Sequence, residues 1–477
     1  MAKDYTKVLK EVLKEITPTK EDKKLLMALA KKALSLTEKE AKKYKAKVIL
    51  AGSATRDTWL PGKKEFDIFV IFPEKLSVKK LEEFGLKIGK NVIEKLDGKH
   101  TIEYAQHPYV SGLVGDTDID IVPCYGVKTT EKLKSAVDRT PFHVKYIDKK
   151  LLNKEKEEVR LFKQFCRANG IYGADTKTEG FSGYVCELLM IKYKKFTNLL
   201  KAADGWKPGE IIDIEKFYSV KDLYKLKKMF WNQVLVLIDP TDKNRNAAAA
   251  VSAKNFFKLK KLAREFSQNP KKDLFFEKKS HPLTEEELIL NQIKRRAEMI
   301  VIKFKAPAVV PDILWPQLRK FADRLQNILE EIDYEFNVLD KDVYTDEKEF
   351  AAVLLEMEVS KLPKVQKRIG PSVFDLKDAK RFLDKYKEQA LAGPFVENIY
   401  WTVEVKRKFL TAREKLEDSL RKTADILKAK GIPNNIADEL ENDFEIISEN
   451  DRIALLIKQD PNFGIFLRKY FEKEKLI

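Results

Sequence analysis

The stretch VILAGSATRDTWLPGKKEFDIFVIFP, residues 48–73, decides the fold. It reads as an apolar strand, a turn at Gly52 and Ser53, a short helix closed by Pro61-Gly62, and a second strand over 65–72. Glu65 and Asp67 stand two apart on that second strand, so both side chains leave the same face. Downstream, DTDIDIVPCY at 116–125 sets Asp118 and Asp120 into another apolar run. A carboxylate on a strand buried on both sides must be paired, protonated or metal-bound. On a neighbouring strand, Asp120 would complete a cage with Glu65 and Asp67. Hard oxygen ligands gathered in this way suit magnesium (Mg2+). A pair of such ions is what an in-line displacement at phosphorus needs. The bland alternative is an edge strand with one charged face; two acid-bearing strands side by side favour the metal reading. Asp118 shares the face of Asp120 and reads either as support for the cage or as a surface group.

The turn adds a phosphate cradle. Gly52 lets the backbone close tightly, Ser53 offers side-chain and amide donors, and Arg56 reaches the same phosphates. The start of the expected helix would add oriented N–H groups. Alone, G-S-x-x-R describes ordinary strand-to-helix turns; the acidic pair that follows gives it meaning. GLKIGKN at 85–91 has the wrong spacing for a P-loop and lacks the hydroxyl residue after its lysine.

At 477 residues the chain is long enough for roughly three or four domains. Its formal net charge of +17 favours a polyanionic partner, nucleic acid first. The longest apolar runs, such as VLVLI at 234–238, fall far below a membrane span. The N-terminus, MAKDYTKVLKEVLKEI, alternates charge at helical spacing and lacks an apolar signal core, so a soluble cytoplasmic protein without membrane contact is expected. Cys124, Cys166 and Cys186 form no CxxC pair and read as buried free thiols.

Along the chain, two helices separated by Thr17-Pro18-Thr19 precede the strand at 46–51. A helix over 77–97 and strands near 101–106 and 117–122 complete a mixed sheet within 1–150. Residues 151–270 read as all helix. A Pro- and Lys-rich boundary at 270–285 opens an α+β region to about 410. Strand MIVIKF, helix WPQLRKFADRLQNILEEI, strands YEFNVLDKDVYT and EFAAVLLEMEV, helix DLKDAKRFLDKYKEQA and strand IYWTVEVKRKF follow a β-α-β-β-α-β order, as in ferredoxin-like and RRM-like folds. Residues 411–477 read as a helical tail.

Several segments together resemble the class I, archaeal-type CCA-adding enzymes, tRNA nucleotidyltransferases of the DNA polymerase beta superfamily. They are 52–72 and 118–125, DRTPFHVKYI at 138–147, ANGIYGADTKTEGFSGYVCELL at 168–189, DPTDKNRNAAAAVS at 239–252 and GPSVFDLKDAKRFLDKY at 370–386. The resemblance implies a polymerase-beta-like α/β head, a helical neck and an α+β region that binds tRNA. It implies addition of CCA to tRNA 3′ ends from CTP and ATP, with Mg2+ on Glu65, Asp67 and Asp120. By the same resemblance Ser53 and Arg56 contact the triphosphate, Thr140 and His143 lie beside the nucleotide, Lys163 and Tyr172 reach the phosphates, and Arg245 helps choose the base. Each has a plainer alternative: His143 a structural hydrogen-bonder, Lys163 a solvated helix face, Tyr172 a packed turn, Arg245 a turn cap. The implied partner is the acceptor stem and TΨC arm of tRNA, with a homodimer as an open option. A poly(A) polymerase-like tailing enzyme is the alternative activity.

Overall fold

The computed structural model describes residues 5–473, 475 and 476, apart from Ala105, Ile332 and Asp333. The first four residues, read above as helical, and Ala105 of the expected third strand lie outside the described residues. Two compact units divide the chain, one running to Lys278 and one spanning Lys279–Lys475.

The first unit opens with helices α1 (Tyr5–Ile16) and α2 (Lys20–Ala41), and Thr19 caps α2 by accepting from the backbone N–H of Asp22. Strands β1 (Lys47–Ala51) and β2 (Lys64–Pro73) follow, then helix α3 (Val78–Glu94) and strands β3 (Lys99–Tyr104), β4 (Pro108–Val114) and β5 (Thr117–Gly126). They form one sheet in the order β1-β2-β5-β4-β3, with β2 and β5 parallel and the other pairs antiparallel. Phe66, Ile68, Val70 and Phe72 of β2 and Ile119 and Ile121 of β5 share one core with α2 and α3. Alternation then sends Glu65, Asp67, Asp118 and Asp120 to the opposite face.

Helices α4 (Thr140–Lys150), α5 (Lys156–Ala168), α6 (Gly183–Tyr193) and α7 (Phe196–Gly205) come next. Val137 and Val144 pack on Phe69 and Cys124, so β2 and β5 are covered on both faces beyond the acids. The expectation of an all-helical middle is corrected here. Strand β6 (Glu210–Asp213), helix α8 (Leu223–Met229), and strands β7 (Leu235–Asp239) and β8 (Asp242–Asn246) precede α9 (Ala253–Gln268), and the strands form a sheet in the order β6-β7-β8. The apolar run at 235–239 is buried throughout as the central strand.

The second unit begins with α10 (Glu285–Arg295), β9 (Glu298–Lys305), α11 (Pro311–Leu329), β10 (Asn337–Thr345) and β11 (Phe350–Val359). A separate sheet follows from β12 (Val365–Ser372), helix α12 (Leu376–Tyr386), β13 (Ala390–Glu397) and β14 (Tyr400–Lys406), in the order β12-β14-β13. Helices α13 (Ala412–Leu420), α14 (Ala424–Ala429) and α15 (Asn434–Asn442) lead to strand β15 (Phe444–Ile447), then α16 (Asn450–Gln459) and α17 (Pro461–Phe471). The larger sheet runs β10-β11-β9-β15. Only the first four elements of the expected β-α-β-β-α-β unit belong to the larger sheet; the second helix, DLKDAKRFLDKYKEQA, packs on the small sheet through Phe382 and Tyr386, and α13–α15 supply residues to the larger sheet's core instead. IYWTVEVKRKF pairs within its own small sheet, and Phe444–Ile447 from the tail takes the place beside β9.

Candidate active site

The register of β2 on β5 sets Asp67 directly beside Asp120 and Glu65 beside Asp118. Ala51 of β1 pairs with Asp67 and Ser111 of β4 with Asp120. The two aspartates are half-buried and Asp118 is exposed, so the acids line the open face of the sheet. Burial pushes Asp67 up to about 7; Asp120 and Glu65 add to this, and Arg56 and Lys63 oppose it. Burial, with Glu65, Asp118 and Glu103, also raises Asp120 against a hydrogen bond from Ser111. As placed, Glu65 pairs with Lys63. Among the described residues no three His, Cys, Asp or Glu side chains converge tightly enough to hold an ion. The donor set nevertheless fits a hard divalent cation: oxygen ligands only, adjacent on two strands, with mutual repulsion that a cation relieves.

The Gly-Ser segment is a chain of turns, which corrects the expected short helix and the N–H groups it was to supply. Asp57 takes a left-handed conformation (φ 56°), and the Thr58 N–H closes on the Ser53 carbonyl at 3.0 Å, which breaks helical geometry. Gly52 has φ +92°, and a Cβ there would stand 3.2 Å from Asp67 Oδ2. The turn thus lies directly against the acids because residue 52 has no side chain.

Arg56 does not point into solvent. Its Nε and Nη2 donate to Glu187 of α6 at 3.2 and 3.1 Å, and the Thr58 hydroxyl donates to the same carboxylate at 2.7 Å. Lys163 of α5 lies 3.8 Å from Glu187 and donates to the Thr58 hydroxyl at 3.4 Å. Lys163 is buried, so the solvated-face alternative is wrong. Burial would raise Glu187, but Lys163, Arg56 and Thr58 outweigh it and hold the carboxyl below its usual range. Lys163 shares that one anion with Arg56, so at the lysine burial wins and its pKa falls. Tyr172 lies nearby: a Cβ on Gly183 would be 3.2 Å from its hydroxyl and 3.6 Å from Lys163 Nζ. That groups Tyr172 and Lys163 at the first residue of α6.

The remaining residues form a second group around Asp239, the last residue of β7, which is fully buried. His143 Nε2 lies 2.9 Å and Arg245 Nη1 2.7 Å from Asp239 Oδ2. Oδ1 accepts from the Tyr184 hydroxyl at 3.1 Å and from the Thr241 N–H and hydroxyl at 2.9 and 2.8 Å. His143 stacks on Tyr184 with ring centres 4.0 Å apart. Thr140 opens α4 one turn before His143. Sequence reading missed Glu187, Tyr184 and Asp239. Asp239 alone carried a readable signal, an acid ending the apolar run LVLI.

A sheet with paired strand carboxylates beside a Gly-Ser turn and clamped cations defines a nucleotidyltransferase head, and residues 31–143 match the family described as nucleotidyltransferase domain. Residues 157–276 match the second domain of tRNA nucleotidyltransferase, and 295–449 the C-terminal domain of CCA-adding enzyme. The CCA-adding enzyme of Methanosarcina acetivorans is 36% identical over 96% of this chain and 97% of its own length. That of Methanocaldococcus jannaschii is 39% identical over 80% of this chain and 84% of its own. The Archaeoglobus fulgidus enzyme is 37% identical over 84% and 86%. The chain belongs to the CCA-adding enzyme family. A solved cytoplasmic RNA terminal U-transferase aligns at 13% identity and TM-score 0.45 over 59% of this chain and all of that one, too distant to bear on the assignment.

Proposed function

We propose that the acids of β2 and β5 and the cations beside them carry out the family's reaction in this chain: addition of cytidylate twice and adenylate once to the 3′ end of tRNA, from CTP and ATP, without a nucleic-acid template. The observation that carries the proposal is the register that sets Asp67 beside Asp120. Glu65, Asp67 and Asp120 would hold divalent ions, and an all-oxygen set favours magnesium. When bound, such ions acidify the terminal hydroxyl and steady the triphosphate.

The protein's own contribution is positioning and charge. Arg56 and Lys163, fixed by Glu187, meet the triphosphate with Ser53 and Tyr172, and little reorganisation is needed because their places are set beforehand. Thr140 and His143 flank the nucleotide, and Arg245 donates to the base edge. Cytosine and adenine present an amino donor beside a ring-nitrogen acceptor; uracil and guanine present the reverse. A fixed donor therefore admits the first pair and leaves the second unmatched, at about 1–3 kcal/mol for each unpaired buried group. The tRNA is held at its acceptor stem and TΨC arm through phosphates and 2′-hydroxyls; the positive surplus that favours this lies in residues 1–278, since 279–477 hold 35 Lys and Arg against 37 Asp and Glu. No described helix is long and apolar enough to cross a membrane, and the cytoplasm is the proposed compartment. The acids and the proposed nucleotide residues all lie in the unit that ends at Lys278.

The test is extension of tRNA lacking its last three nucleotides, with each nucleotide alone and in pairs. CTP alone should add two residues, and ATP a third only after them. Long tails from ATP alone would replace this reading with the tailing-enzyme alternative, which the match of 295–449 to a CCA-adding enzyme domain disfavours.

A further inference from the structure

We infer that Asp239 is a positioning residue for base selection: it fixes the donor of Arg245 and the tautomer of His143 together, and so builds both halves of the pocket that reads cytosine or adenine. This rests on the assignment of Arg245 as the base-reading donor. Three features single out Asp239. It is fully buried at the end of a central strand. It collects five donor groups on two oxygens, from α4, α6, β8 and the turn after β7. The nucleotide residues expected from the sequence, His143 and Arg245, meet on its Oδ2 at 2.9 and 2.7 Å.

The chemistry follows from the donor count. A carboxylate only accepts, so the imidazole nitrogen facing it must carry the proton. With Nε2–H committed to Asp239, the neutral form of His143 is the tautomer whose Nδ1 accepts. The guanidinium spends one of its five N–H groups on Asp239 and offers donors from the rest. One anchor thus holds an acceptor and a donor, the complement of an amino group beside a ring nitrogen. The reverse order on uracil or guanine would face donor to donor and acceptor to acceptor. Tyr184 completes the lock: its hydroxyl donates to Oδ1 while its ring stacks on His143, so swinging the imidazole away breaks both that stack and the Nε2 bond to Asp239.

Asp239→Asn keeps the shape and removes the charge, and its amide can no longer impose the His143 tautomer. The measurement is kcat/KM for CTP, ATP, UTP and GTP on truncated tRNA with the full-length protein. The preference for CTP and ATP over UTP and GTP should fall by about tenfold or more, the scale of one mismatched buried hydrogen bond. A purely structural role would lower all four together and leave the ratio unchanged, which would overturn the inference. Arg245→Ala, run in parallel, separates the layers. If it leaves the ratio unchanged, the base-reader assignment itself fails; if it lowers the ratio while Asp239→Asn does not, only the inference fails. Should the Asp239 variant not fold, 15N-histidine spectra of the wild-type protein decide. The chain has 4 histidines, so His143→Gln assigns the signal. An Nε2–H tautomer is expected for His143, and an Nδ1–H tautomer would overturn the inference.

Discussion

Asp67 is flanked by Ala51 from β1 and by Asp120 from β5, and Gly52 approaches its carboxylate from above. Removing its charge without changing its shape tests the proposed chemistry. Asp67→Asn should reduce transfer on the order of 10³-fold, about 4 kcal/mol of transition-state stabilisation, with tRNA affinity kept. Single-turnover extension beside filter binding reads both, and normal transfer would contradict the assignment. Gly52→Ala should lower transfer and stability together. A side chain at φ +92° is strained by about 1–3 kcal/mol, and its methyl would stand 3.2 Å from the Asp67 oxygen. An unchanged melting temperature would show that the turn relaxes away from the acids. The proposed metal-binding acids stood out in the sequence because Asp67 and Asp120 each interrupt an apolar strand, where a charge needs a reason, and Glu65 stands two residues before Asp67 on the same face. Glu187 was not legible. Helix α6 is buried from Val185 to Ile191, so no amphipathic stripe marks one residue as facing a partner, and its arginine lies 131 positions away.

At the scale of elements, α5 and α6 hold the Gly-Ser turn through buried charge: Arg56 and Lys163 with Glu187, and Arg160 with Asp57. Glu187→Ala leaves two cations without their shared anion and should cost about 3–5 kcal/mol in denaturant unfolding. A cost below about 1 kcal/mol would contradict the clamp. The pH sign is fixed by the lowered Glu187 pKa. A carboxyl held below its unfolded value stabilises fully above that value and loses the contribution as pH falls through the folded one. The gap between wild type and Glu187→Gln should therefore narrow on acidification below about 4.5, as unfolding at stepped pH would show. The strongly periodic helices and the long apolar strands were readable from the sequence, whereas the eight-residue strands β12 and β13, exposed or half-buried apart from Gln366, were not. The failures share a cause. Strand β4 contains Gly112, β6 and β15 have four residues each, and β8 is polar, so none gives a periodic signal of useful length. The helix expected after Gly52 is lost to the left-handed Asp57, a tertiary choice made with Arg160 and Lys23 on its carboxylate.

For the whole molecule, the acids and all the proposed nucleotide residues lie in one unit, before Lys278. The order of secondary elements was largely readable, whereas strand partnership was not. Whether IYWTVEVKRKF or Phe444–Ile447 completes the sheet beside β9 depends on long-range pairing that local sequence does not encode. The surplus of +17 predicts that tRNA binding is mainly electrostatic. Affinity should drop on the order of 10³-fold between about 50 and 200 mM salt, while the affinity for CTP changes far less. Equal salt slopes for the two ligands would contradict a grip on phosphates. One parallel strand pair gathers the carboxylates proposed to carry the divalent ions. The most direct measurement is anomalous scattering from Mn2+ in crystals of the full chain with an unreactive CTP analogue. A peak between Asp67 and Asp120, with Glu65 turned from Lys63 toward it, is the predicted result. Ions bound elsewhere, with both aspartates left bare, would contradict the account.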